Sequence, residues 1–177
     1  MNEFIIKIGN FCIKRLAELI GLGLVAISIL LFISLLSYSP EDPNFIFPEK
    51  TIINNLMGPN GSYISDLFFQ SFGLISILIP ITYFFTGINI IISKTFLIII
   101  ENTFFIILYT FIGCLFFTAF HEKSFWLTIN GNNGFLGNLF EGNFLLGLVN
   151  SNEEIAYYFL IILISLVFLK SINFKIF

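Results

Sequence analysis

The side chains that could carry chemistry in this chain are few and scattered. His121 is the single histidine among 177 residues. No second metal ligand is evident beside it, whereas a metal centre needs several ligands of matched type. Glu101 is the carboxylate that comes nearest to an apolar stretch. At a bilayer centre it would cost roughly 2.5–3.5 kcal/mol and would mark an ion or proton pathway. The stretch 102–120 can cross without it, which leaves Glu101 at the boundary, with Lys94 two turns away on the same face. Asn89 and Asn102 are the other polar candidates, both near stretch ends. No Gly-x-x-x-x-Gly-Lys-Ser/Thr phosphate loop occurs, and no Gly-x-Ser-x-Gly, His-Glu-x-x-His or Cys-x-x-Cys. No catalytic, cofactor-binding or metal-binding residue is expected.

The elements that position these groups are membrane helices. Four apolar stretches, at about 19–37, 67–92, 102–120 and 155–169, are long enough to cross a hydrocarbon core that takes about 20 helical residues. Hydrophobic residues make up 57% of the chain and charged residues 11%; a soluble domain of this size could not cover its surface with so few polar groups. Lys7, Lys14, Arg15, Lys94, Lys170 and Lys175 fall on one side of the stretches, and only Lys50 and Lys123 on the other. Short loops rich in Lys and Arg stay cytoplasmic, so both termini are expected inside. Glu41, Asp42, Glu49, Asp66, Glu122, Glu141, Glu153 and Glu154 all lie on the opposite side. The first stretch is too long for a signal-peptide core and lacks a small-x-small cleavage site, so it is read as an uncleaved helix. Cys12 sits on the cytoplasmic side and Cys114 in mid-membrane, which implies no disulfide. A net charge of −3 gives no basic footprint for nucleic acid. The expected fold is an all-α integral membrane protein: one four-transmembrane-helix bundle over 1–177, with external loops 38–66 and 121–154.

Both loops have internal organisation. Ser39-Pro40 and Asp42-Pro43 stop the first helix. Gly58-Pro59-Asn60-Gly61 signals a turn, after which Ser62 is expected as N-cap, with Asp66 in the first turn. In the second loop, 134–140 and 144–149 are apolar but too short to span, so they are interfacial or re-entrant helical segments before the fourth helix. Phe125 and Trp126 suit the aromatic belt. Small residues share helix faces: Gly73, Ser76, Pro80 and Gly87 on the second span, Ala17, Gly21 and Ser28 on the first. Such stripes let membrane helices approach closely. Pro80 is expected to kink its helix and free the Ser76 carbonyl, either for packing or as a transport hinge.

Taken in order, the segments resemble the N-terminal four-helix membrane domain of FtsK/SpoIIIE-type bacterial DNA translocases. The resemblance rests on Leu35-Leu36-Ser37-Tyr38-Ser39-Pro40-Glu41-Asp42-Pro43 at the exit of helix one, on Asn55-Leu56-Met57-Gly58-Pro59-Asn60-Gly61-Ser62-Tyr63-Ile64-Ser65-Asp66-Leu67, which leads into Phe72-Gly73-Leu74, and on Gly134-Phe135-Leu136-Gly137-Asn138-Leu139 before the last helix. It covers about residues 15–170. It implies a domain anchored in the bacterial cytoplasmic membrane at the division septum, contacting other division proteins and assembling as a homo-oligomer, a hexamer in that family. The family's cytoplasmic ATPase motor has no counterpart up to Phe177, so ATP hydrolysis, DNA binding and translocation are not carried over.

Two functions compete. One is a membrane-anchoring and division-protein-interaction domain, serving cell division and its coupling to chromosome segregation. The other is a small transporter or channel subunit using Pro80, Glu101 and the 134–149 loop. The charge asymmetry makes a direct prediction about topology. Reporter fusions after Lys94 and Lys175 should register as cytoplasmic, and fusions after Lys50 and Asn132 as external; a cytoplasmic signal at Asn132 contradicts four spans.

Overall fold

The computed structural model describes residues 2–44, 52–127, 129 and 131–172 of the chain, with side chains from Ile6 onward. Glu49, Lys50 and Lys175, which enter the charge argument, lie outside the described residues. Among those residues the chain is helical and contains no strand. The elements are α1 (Asn2–Leu36), α2 (Gly58–Phe72), a 3-10 segment (Gly73–Ile77), α3 (Leu78–Ser93), α4 (Ile98–Phe120), α5 (Gly134–Asn138), α6 (Phe144–Ser151) and α7 (Glu153–Ser171). Four helical runs are long and apolar enough to cross a membrane: Ile6–Leu36, Gly58–Ser93, Ile98–Phe120 and Glu153–Ser171. α1 ends three residues before Ser39-Pro40, as the loss of the proline amide requires.

The spanning helices pack in chain order. α1 lies along α3, α3 along α4, and α4 along α7, while α2 bridges α1 and α5. The closest approach is between α1 and α3. A Cβ on Gly21 would stand 2.8 Å from the Gly87 carbonyl oxygen, and a Cβ on Gly87 would stand 2.7 Å from that of Gly21. Ala17 and Ser28 are buried on the same face of α1. At the end of this contact the turn after α3 is pinned by charge: Glu18 pairs with Arg15 at 2.6 Å and with Lys94 at 2.5 Å. Lys94 is held left-handed, at φ 60°, as the C-terminal cap of α3. Its ammonium therefore meets α1, and not Glu101 as the spacing suggested. Glu101 is exposed in the first turn of α4.

Buried side-chain hydrogen bonds cross-link α3, α4 and α7. The Thr82 hydroxyl lies 3.2 Å from the Tyr109 hydroxyl and 2.9 Å from that of Ser171. One turn further on, Asn102 Nδ2 donates to Thr86 Oγ1 at 2.7 Å, and Thr86 itself donates to the Thr82 carbonyl. Away from water such groups find partners on neighbouring helices, at about 1 kcal/mol each.

The second span is broken, and at a different residue from the one expected. Pro80 is the third residue of α3, inside the first turn, where its missing amide has no intrahelical acceptor to lose. The Ser76 carbonyl is not freed; it accepts from the Leu78 amide. The break is at Gly73, whose φ of 65° ends α2. The loop 131–134 lies across it. Leu74 N–H donates to the Asn132 carbonyl at 2.9 Å, and a Cβ on Gly73 would fall 2.0 Å from that same oxygen. Gly134, at φ 64°, presses from the other side, with its Cβ position 2.4 Å from the Gly73 nitrogen. Both positions demand glycine, for backbone angle and for space. Gly73→Ala should therefore cost about 2–3 kcal/mol and lower the thermal midpoint in detergent by roughly 5–10 °C. Leu74→Ile, at a half-buried site, should leave that midpoint nearly unchanged.

Candidate interaction surface

The polar residues of the first loop gather at the end of the molecule opposite the Glu18–Lys94 pair. Asp42 is buried and its carboxylate accepts two backbone amides, Asn54 N–H and Asn55 N–H, both at 2.8 Å. The Asn55 side chain, also buried, donates to the Ser34 carbonyl at 2.9 Å and to Ser65 Oγ at 3.4 Å, and accepts from the Met57 amide. Ser34 Oγ donates to the Gly61 carbonyl at 2.6 Å, joining α1 to α2. A Cβ on Gly61 would stand 2.3 Å from Asn55 Oδ1, so only glycine fits there. Ser37 Oγ returns a bond to the Ile33 carbonyl and accepts Leu56 N–H at 3.1 Å. The Ser39 carbonyl accepts the Asp42 amide, Pro40 is exposed, and the Pro43 carbonyl accepts Ser62 Oγ at 2.6 Å. Loop 37–57 is thus tied to two helices at both of its described ends.

Ser62 and Asp66 do not have the capping roles expected of them. α2 starts at Gly58, with Pro59 at its first turn and Met57 as a cap that makes no side-chain bond. Proline pre-sets the helical φ and makes an earlier start cheap. Ser62 therefore lies inside the helix and holds Pro43, and Asp66 lies two turns in. The Tyr38 hydroxyl donates to Asp66 Oδ1 at 3.2 Å, and Gln70 Nε2 donates to the same oxygen at 3.4 Å. Burial, reinforced by the Asp66 carboxylate, raises the Tyr38 phenol well above the usual tyrosine range. It stays a donor throughout the physiological range. Tyr63 is half-buried on α2.

Tyr38 also joins the two loops. Its ring centroid lies 4.9 Å from that of Phe69 and 5.5 Å from that of Trp126, and Phe69 and Trp126 are 5.4 Å apart. Trp126 thus packs into a cluster with Leu35 and Leu127, while its neighbour Phe125 is 96% exposed. The second loop divides into two short helices. α5 dips beside α4: Phe140, just beyond its end, stacks on Phe111 at 4.7 Å, nine residues inside the outer end of α4 or about 14 Å by helical rise. Asn133 Nδ2 ties the start of α5 to Thr118 and Asn138. α6 packs on α7 and buries Val149. His121 caps α4 beside Tyr157 and Phe116, 6.0 and 5.8 Å between ring centroids. Of the small-residue stripe, Gly73 faces the loop at Asn132, Ser76 Oγ bonds the Gly73 carbonyl, and Gly87 faces α1. Pro80 lines an apolar groove with Ser28 and Phe32. The stripe is therefore divided between different partners.

What remains exposed at this end is apolar side chains among acids. Ile52 and Leu56 stand out from the first loop, Phe125 and Phe144 from the second. Among the described residues, Glu41, Glu122, Glu141, Glu153 and Glu154 are exposed at this end beside one cation, Lys123.

Four helical runs of spanning length, with two loops folded together at one end, define a multi-pass membrane domain. The chain belongs to the family described as the 4TM region of DNA translocase FtsK/SpoIIIE, whose model matches residues 13–177. It is 39% identical over 77 residues to the DNA translocase FtsK of Rickettsia bellii (strain RML369-C), covering 43% of this chain and 10% of that protein. It is 38% identical over 71 residues to that of Rickettsia prowazekii (strain Madrid E), covering 40% and 9%. It is 31% identical over 77 residues to that of Rhizobium meliloti (strain 1021), covering 44% and 8%. The matched region spans about a tenth of each of these relatives. No solved structure matches the chain.

Asn55 entered the sequence reading only as the first residue of the second motif, and Ser34, Asn132 and Asn133 did not enter it as site residues, because a linear pattern carries no sign of whether a small polar side chain is buried. Thr82 and Thr86, four apart in an apolar helix, were the legible signal for the buried α3–α4 bonds. Asp42→Asn keeps the shape of the side chain but removes the charge that both amides share. Charge-assisted bonds contribute about 1.5–3 kcal/mol. The variant should therefore speed hydrogen exchange at the Asn54 and Asn55 amides by at least tenfold while the α3–α4 amides stay as protected as before.

Proposed function

We propose that this chain is the membrane-anchoring and division-protein-interaction domain of an FtsK-like DNA translocase. It resides in the bacterial cytoplasmic membrane with both termini inside, acts at the septum, and serves cell division and its coupling to chromosome segregation. The observation that carries this is the cap: two loops joined through Tyr38 and Trp126, the second tied to the helix break by Asn132, with apolar and acidic side chains exposed. Membership of the family supports the translocase context, and the relatives it matches are named DNA translocases. The partner surface fitting this cap is apolar with basic flanks.

The features a transporter or channel would use do not converge. Glu101 is exposed at the start of α4, and Pro80 sits where it breaks no helix. In this reading the chain itself is no enzyme, and its partners are lipid and protein rather than nucleic acid. A fluorescent fusion of the whole chain should concentrate at the division site. Asp42→Asn should spread it over the membrane at undiminished abundance. The purified chain should neither hydrolyse ATP above background nor retard duplex DNA at physiological salt. Uniform membrane fluorescence of the unaltered chain, or DNA-stimulated ATP hydrolysis, overturns the proposal.

A further inference from the structure

We propose that a cleft between α2, α3, α4 and α5 is a binding site for an uncharged ring compound that carries a carbonyl and enters from the bilayer. The cleft has a volume of about 360 Å³, within the range of small-molecule sites. Phe68, Phe72, Tyr83 and Phe111 line it from three helices, and the buried side chains of Ile79 and Ile106 form part of its wall. One polar atom in that wall is left over. Thr110 is 4% exposed, and its hydroxyl has no hydrogen-bond partner among the described residues. Neighbouring hydroxyls are spent. Thr86 and Thr118 donate to the carbonyls four residues earlier, at 2.7 and 2.8 Å. Tyr83 and Thr103, which also line the cleft, pair with each other at 3.3 Å.

Depth decides which molecule can answer this hydroxyl. Thr110 lies 12 residues from the start of α4 and 10 from its end. By helical rise that is about 18 and 15 Å, which places it near the middle of the hydrocarbon. No water is present there to take up the hydroxyl hydrogen. The ester carbonyls of a phospholipid lie at the headgroup boundary and do not reach it, and an acyl chain offers no acceptor. Hydrocarbon in the cleft would leave a buried donor unpaired, at a cost in free energy. A ketone or quinone oxygen on a ring that moves freely within the bilayer meets the demand, and the four aromatic side chains offer faces and edges to such a ring. Among the described residues no carboxylate, ammonium or guanidinium lines the cleft, which selects an uncharged guest. Ile107 is 64% exposed and Phe111 41%, so the cleft opens sideways to lipid.

The site differs from the cap in place and in chemistry, so either can fail alone. Benzophenone, an aryl ketone that inserts into nearby C–H bonds on irradiation, tests it with the whole chain in phosphatidylethanolamine–phosphatidylglycerol vesicles. Insertion at Ile79 and Leu136, read by peptide mass spectrometry, should saturate with concentration. The ring ketone tetralone should suppress that insertion at least fivefold more strongly than tetralin, the same ring without the carbonyl, at equal membrane concentration. Thr110→Val keeps the shape of the side chain and should lower insertion at least fivefold. Its thermal midpoint in detergent should stay level, because the hydroxyl bonds nothing in the chain. Ile107→Trp should close the rim and lower insertion by a similar factor. Equal suppression by tetralin and tetralone, labelling that rises without saturating, unchanged labelling of Thr110→Val, or a lowered midpoint for that variant would overturn the proposal.

Discussion

In a bilayer every backbone amide and carbonyl must find its partner inside the protein, because no water is present to replace it. A span can therefore be interrupted only where another segment supplies the missing partners. The break at Gly73 meets this condition through the Asn132 carbonyl, which takes up the Leu74 amide. The position of the second loop follows. Asn132 is held in turn by the Glu122 carbonyl on its amide and by His121 and Lys123 carbonyls on its side chain. Gly134 can then enter α5 only because a hydrogen replaces its side chain against Phe72 and Gly73. One backbone bond thus sets where α2 stops, where α3 starts and how α5 descends.

The same constraint explains the distribution of small and polar residues on the spanning helices. Gly21 and Gly87 bring two backbones into contact where apolar side chains could gain nothing over lipid. On the other side of α3, Thr82, Thr86, Asn102, Tyr109 and Ser171 fix its register against α4 and α7, which packing alone leaves free to slide. Dispersion holds the helices together and hydrogen bonds fix their register. The half-buried pair formed by Lys94 and Glu18 places the short turn between α3 and α4 beside α1.

At the end that carries the two long loops, charge is used internally. Asp42 and Asp66 are both buried; Asp42 accepts two backbone amides of the first loop, and Asp66 Oδ1 accepts from Tyr38 and Gln70. The acids left exposed include Glu122 and Glu141 of the second loop. The motif that carries the family resemblance is thus an architectural device.

The sequence by itself determined that the chain crosses a membrane four times, since a run of about 20 apolar residues admits few other solutions. It also determined where α1 ends, because proline removes a donor, and which family the chain resembles, because the motif order is local. Tertiary structure alone decided where the second span breaks. A glycine and a proline are equally plausible breakers in a linear pattern, and only the Asn132 carbonyl opposite Gly73 selects between them. It also decided that Ser62 holds Pro43, that Lys94 pairs with Glu18, and that Asn55 joins α1 to α2. Each of these joins residues from separate segments. Periodicity describes one helix at a time and is blind to which neighbour a polar group will meet.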